Sequence, residues 1–128
     1  MRAIRRNSTD VKRKVERLWN AQLEHVAEQA RRWPADDIIA AVAEAHDTTP
    51  AALRSRARDR ATSSARHHAA WEMRHRRIDM TLSQIAAALD RDNHATALNS
   101  VIVFGEHVKR GYYAAERRAV AQALGDSA

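Results

Sequence analysis

The sequence predicts an all-α protein, and three observations carry that expectation. Alanine and arginine are abundant, whereas glycine numbers three and proline two in 128 residues. Helix formers therefore dominate and helix breakers are scarce. Apolar residues recur at three- and four-residue spacing in most segments, and no stretch alternates in the way a half-buried strand does. The segments are separated by recognisable start and stop signals rather than by glycine-rich loops.

The elements follow in order. A first helix is expected from about Asp10 to Arg32, with Ser8, Thr9 and Asp10 as candidate caps and Val11, Val15, Leu18, Val26 and Ala30 on one stripe. Trp19 and Leu23 lie beside that stripe, and Pro34 ends the helix. A second helix begins near Asp36, carries Ile38, Ile39, Val42 and Ala43, and stops around His46-Asp47. Thr49-Pro50 pairs a cap with a proline at the first helical position and opens a short third helix with Ala52 and Leu53. The chain then turns basic from Arg54 to Ala61. Thr62, Ser63 and Ser64 offer a cap for a fourth helix that runs to about Arg76, with Ala65, Ala69 and Met73 on one face. Glu72 interrupts that face. Thr81 caps a fifth helix, Leu82–Leu89, and a polar turn, Asp90-Arg91-Asp92-Asn93, leads to a sixth, His94–Phe104, with Gly105 as its stop. A seventh covers about Glu106 to Leu124. This divides the chain into an N-terminal amphipathic helix (1–34), a helical domain (35–125) and a short tail (126–128).

Composition narrows the function classes. With no cysteine, disulfides and cysteine-bearing zinc fingers are excluded. No apolar run approaches the ~20 residues of a membrane span, and no apolar stretch follows the basic Met1–Asp10 segment, so a cytoplasmic protein without a secretory signal is expected. The net charge is +6, and arginine (19) far exceeds lysine (3). Two regions hold the excess, each at +5: Ala51–Met80 and the first 32 residues. Clustered positive charge favours polyanions, although a solvated basic face is also common.

The fifth helix, the four-residue turn and the sixth helix have the lengths of a helix-turn-helix. In that device the second helix enters the major groove and its first residues meet base edges. Here those residues are His94, Ala95, Thr96 and Asn99, which can donate, accept or touch a thymine methyl. Spacing alone fits an ordinary helical hairpin equally well.

The residues themselves add a resemblance. The run Leu82-Ser83-Gln84-Ile85-Ala86-Ala87-Ala88-Leu89-Asp90-Arg91-Asp92-Asn93-His94-Ala95-Thr96-Ala97-Leu98 resembles the C-terminal DNA-binding domain of the bacterial replication initiator DnaA. That family has an Ile-Gly or Ile-Ala pair and then a Gly/Arg/Asp/His/Thr/Thr run at its recognition helix. Val42-Ala43-Glu44, Ala52-Leu53-Arg54-Ser55 with the basic loop after it, and Ser64-Ala65-Arg66 with Ala69 resemble the preceding elements in order, so the likeness covers about Asp37 to Gly111. It implies a DnaA C-terminal or Trp-repressor-like helix-turn-helix fold, with the N-terminal amphipathic helix as an addition.

The resemblance also implies roles. Arg66 stands where the family sends an arginine into the minor groove, and His94 and Thr96 match its DNA-contacting histidine and second threonine. Asn99 lies one turn further on, and Ser83, Arg91, Asn93 and Ala95 complete the expected DNA surface. Arg54, Arg56, Arg58 and Arg60 are expected on phosphates. The departures are Ala95 for the first threonine, Val103 for a frequent lysine, and Asp92-Asn93 where Arg-Asp is usual, which means either a displaced arginine or one inserted residue. The 128 residues contain no Gly-x-x-x-x-Gly-Lys-[Ser/Thr] stretch, so no ATPase module is expected.

The expected activity is sequence-specific binding of double-stranded DNA in replication initiation or transcription control, by a phage, prophage or plasmid product without enzymatic activity or cofactor. The alternative is a module that binds a host replication protein. The first helix, with Trp19 and Trp33 near its stripe, suits a homodimer or such a partner, or packs back on its own domain. His68, Glu72 and His75 share one helical face at a spacing a metal could use, but Arg66, Arg74, Arg76 and Arg77 on the same helix would repel a cation.

Overall fold

A computed structural model describes the backbone of residues 2–126 and the side chains of residues 8–126. Among the described residues there are seven helices and no strand. They form two units, Met1–Arg32 and Trp33–Ala128.

The first unit is one helix, α1 (Arg2–Arg32). It starts earlier than expected, so Ser8, Thr9 and Asp10 lie inside it rather than at its cap. No glycine or proline interrupts the basic first turns, which lets the helix extend back to Arg2.

The second unit contains α2 (Ala35–Ala45), α3 (Pro50–Arg54), α4 (Arg60–Arg76), α5 (Leu82–Ala88), α6 (His94–Lys109) and α7 (Ala114–Ala123). α2 is central, and Ile38, Ile39, Ala41, Val42 and Ala43 are all buried. α4 and α7 pack on it, and α6 packs on α4 and α5. Leu53, Ala65, Ala69, Met73, Ile85, Leu89, Ala97 and Val120 complete the core.

Caps and turns follow the sequence signals in most places. Thr49 Oγ1 accepts from Ala52 N at 3.1 Å. Thr81 and Gln84 form a reciprocal capping box, with bonds of 3.1 and 2.9 Å. α2 and α5 each end through a residue with positive φ, Asp47 (55°) and Asp90 (57°). Two ends differ from expectation. α4 is capped by Asp59, whose carboxylate accepts from Thr62 N at 3.1 Å and Thr62 Oγ1 at 2.9 Å, so the helix starts at Arg60. α6 runs through Gly105 to Lys109, so Glu106–Lys109 belong to it and not to the seventh helix. Gly105 keeps helical φ, whereas Gly111 (φ +76°) supplies the left-handed turn that stops α6. At the other end of the unit, Asp126 pairs with both Nη atoms of Arg76 at 2.8 and 2.6 Å, so the expected tail at 126 is tied down there.

The buried Glu72 is explained by its partners. Arg76 Nε donates to Glu72 Oε2 at 2.7 Å, and His68 Nε2 lies 3.4 Å from Glu72 Oε1. His68 Nδ1 meets His46 Nε2 at 2.8 Å, and its ring stacks on Phe104 with centroids 4.3 Å apart. His75 turns away and donates Nδ1–H to Trp71 O at 2.8 Å. Among the described residues no three histidine, aspartate or glutamate side chains gather in a way that could hold a metal. No helix among them is long and apolar enough to cross a membrane.

Candidate nucleic-acid interface

Three backbone segments converge: the basic loop after α3, the turn between α5 and α6, and the N-terminus of α6. Arg91 of the turn donates Nη2–H to Ser55 O of the loop at 2.7 Å. Arg54 donates Nε–H to Ala88 O at 3.1 Å and pairs with Asp36 at 2.9 Å. These bonds hold the loop beside the helix-turn-helix. Ser55 itself orders the loop, because its hydroxyl donates to Ala52 O at 2.6 Å and accepts from Ala57 N at 3.2 Å.

Arg66 sits differently from what the resemblance implies. Its side chain is folded inward and the residue is only 8% exposed. Nε donates to Leu53 O at 2.8 Å, and Nη2 donates to Ser55 O and Ala57 O, both at 3.1 Å. A planar fork of donors thus engages three backbone carbonyls at the end of α3 and in the loop. In this structure the Arg66 side chain thus turns inward and does not reach out from the start of α4. Arg54 is likewise engaged, by a carbonyl and a carboxylate.

Ser55 O thus receives two guanidiniums, from Arg66 and Arg91. With Arg56, Ala57 and Arg58 they line a cavity of about 190 Å³. Burial lowers the pKa of Arg66, the neighbouring charge of Arg91 lowers it further, and Asp59 acts in the opposite sense. Arg56, Arg58 and Arg60 are exposed, and among the described residues no carboxylate is paired with any of the three. Positive charge is therefore concentrated here with little internal compensation.

Beside it lies a broader groove of about 690 Å³, lined by Arg58, Arg60, His67, Val103, His107 and Tyr112 among others. His67 Nδ1 also meets the buried Ser100 Oγ at 2.8 Å. Burial, then Arg66 and His107, hold the His67 imidazole below its ordinary pKa.

On α6, Ala97, Ser100 and Phe104 point into the core. His94, Ala95, Thr96, Leu98, Asn99 and Ile102 are exposed, and so is Ser83 at the start of α5. Asn93 is the cap: its Oδ1 accepts from Ala95 N at 2.8 Å. One side of its amide is thus committed to shaping the helix start. The left-handed Asp90 occupies the conformation glycine takes most readily, and Arg91 follows it directly. That geometry favours aligning Asp90-Arg91 with the family's Gly-Arg pair, with one residue inserted before His94.

Sequence reasoning missed two features of this surface. Ser55 was legible as a serine just past a short helix, where such hydroxyls commonly order the following turn. The exposed Leu98 and Ile102, 44% and 55% accessible, had no local signal, because apolar residues on α6 read as core.

Residues 35–102 match the family described as bacterial dnaA protein helix-turn-helix. The chain belongs to that family. The match spans α2 to the middle of α6 and includes the basic loop, α5, the turn and the N-terminal half of α6. The second unit is thus an all-helical DnaA-type DNA-binding domain, and α1 lies outside the matched residues. No curated protein and no solved structure was found to match the chain.

Proposed function

We propose that this DnaA-family chain binds double-stranded DNA in a sequence-specific manner, without enzymatic activity, as a cytoplasmic phage, prophage or plasmid product that controls replication initiation or transcription. The observation that carries the reading is the adjacency of two surfaces. The N-terminal turns of α6 expose His94, Ala95, Thr96 and Asn99, and bonds from Arg54 and Arg91 hold an uncompensated arginine loop beside them.

In this reading His94, Ala95, Thr96 and Asn99 meet base edges in the major groove, with Ser83 and Asn93 at its rim. Arg56, Arg58 and Arg60 neutralise phosphates. Arg66 and Arg91 hold the loop in shape and add fixed charge to the small cavity, which suits one backbone phosphate.

The test is selection of bound sequences from a random duplex pool, followed by titrations at several salt concentrations. If about five phosphates are neutralised, log K against log salt falls with a slope of about −4 to −5. Replacing Arg56, Arg58 and Arg60 together by Ala should flatten that slope by about 3 and weaken all duplexes alike. Thr96→Ala should instead cost about 1–3 kcal/mol on the selected site alone. Binding indifferent to salt, or a pool with no enriched sequence, overturns the proposal.

A further inference from the structure

The part of α6 that meets base edges in the reading above encloses an apolar side chain, Leu98. At about 100° per residue, Ala97, Ser100 and Phe104 fall within about 60° of the helix circumference, and all three are buried. His94, Ala95, Leu98 and Asn99 fall within about 140° on the opposite side, and all four are exposed. Around the circumference Leu98 lies between His94 and Asn99. Along the axis it stands about 6 Å beyond His94 and about 1.5 Å short of Asn99. Leu98 is 44% accessible, and Ile102 follows one turn further on.

This placement decides what Leu98 meets. If His94, Ala95 and Asn99 face base edges, the side chain they surround faces them too, so the inference rests on the function proposed above. Leucine neither donates nor accepts a hydrogen bond. Set over an amino group, a ring nitrogen or a carbonyl of a base, it would displace water and supply no partner, which is penalised. The major-groove edges of the four base pairs offer one apolar group, the C5-methyl of thymine. Ala95 neighbours Leu98 at three-residue spacing on the same face, but Leu98 is the longer side chain and reaches further from the helix.

We propose that Leu98 is a specificity-determining residue of the DNA surface and reads the C5-methyl group of a thymine in the major groove. The contact removes both apolar groups from water, and it selects an A·T pair at that position without a hydrogen bond. A cytosine methylated at C5 presents the same group in the same place.

The test starts from the site selected out of a random duplex pool. Each thymine of that site is replaced in turn by deoxyuridine, which removes the methyl group and keeps the base pair. At one of them the parent should lose about four-fold in affinity, the worth of one methyl group returned to water. Leu98→Ala should bind the thymine and deoxyuridine forms of that position alike, with its melting unchanged because the side chain is exposed. Leu98→Met should restore the difference. With C·G at the position, methylating the cytosine at C5 should recover about four-fold in the parent and nothing in Leu98→Ala. Three results overturn the assignment while the function proposed above stands: a selected site without thymine, a parent indifferent to every deoxyuridine, or a methyl effect that persists in full in Leu98→Ala and so belongs to Ala95 or Thr96. A pool with no enriched sequence overturns both.

Discussion

Two clusters in the second unit use arginine in opposite ways. Around Ser55, Arg66 and Arg91 donate to backbone carbonyls, and Arg56 and Arg58 stand beside them without a paired carboxylate among the described residues. Around His68, Arg76 donates to Glu72 at 2.7 Å and to Asp126 at 2.8 and 2.6 Å. A carbonyl satisfies the hydrogen-bonding capacity of a guanidinium and leaves its charge in place, whereas a carboxylate cancels it. The first cluster therefore retains positive charge for an outside anion, and the second stores its charge internally as a strut between α4 and the end of the chain. Arginine counts alone do not separate a binding surface from a structural tie; the chemistry of the acceptor does.

The contrast is broken most forcefully at Glu72. It is 4% exposed, and its removal takes away the carboxylate beside the fully buried His68 ring and leaves Arg76 with Asp126 alone. Glu72→Ala should cost about 2–3 kcal/mol of stability, because donors around the buried site lose a charged acceptor. DNA affinity, measured well below the lowered melting temperature, should stay near that of the parent. A variant that melts normally would show that the strut bears no load.

Arg66 comes next. Arg66→Ala removes the donors to the carbonyls of Leu53 and Ala57, leaves Ser55 O to Arg91 alone, and should cost about 1–2 kcal/mol. Arg66→Lys should recover little, because an ammonium cannot reproduce the planar fork. Both should also weaken DNA binding by loosening the loop. If Arg66→Lys melts and binds like the parent, the guanidinium is not what shapes the loop.

Much of the fold was legible in the sequence because it rests on local signals. Thr49-Pro50, Thr81 with Gln84, and the apolar spacing of Ile38, Ile39 and Val42 each state a start or a buried face within a few residues. The helix-turn-helix was legible for the same reason, and the residues expected at its reading end, His94, Ala95, Thr96 and Asn99, are exposed there. What escaped depends on contacts distant in sequence. Nothing near Arg66 says that its side chain turns back across 13 residues to Leu53. Glu72 reads as a flaw in its face until Arg76 and His68 are seen on either side of it. The end of α6 was misplaced because Gly105 and Gly111 are both plausible stops, and only backbone conformation distinguishes them.

The smallest expected effect, and the one that sharpens the contrast furthest, is a response to acid. Burial holds the pKa of His46 down to about 4, the adjacent His68 adds to this, and Glu116 opposes it. A folded-state value below the ordinary 6.5 means that the unfolded chain takes up the proton first. The stability from neutral His46 is therefore complete above about pH 6.5 and declines as pH falls toward 4. Glu72 continues the same trend below the ordinary carboxylate value of 4.5. Burial alone would raise its pKa, but His68 and Arg76 outweigh burial and hold the carboxyl below its usual range. Its contribution is present above the unfolded value and is lost as pH falls through the folded one. His46 remains partly exposed, so screening reduces its share, and its loss between pH 7 and pH 4.5 should be about 1–2 kcal/mol. At the Ser55 cluster the arginines do not titrate in this window. His67, held below its ordinary value, is the neighbour that does, and it pushes stability the same way. Melting temperatures from pH 7.5 to 4.5 should thus fall steadily in the parent and more shallowly in His46→Gln, which cannot take up the proton. A parent curve that is flat over this range, or a His46→Gln curve that is equally steep, would remove the acid response from the His46–His68–Glu72 chain.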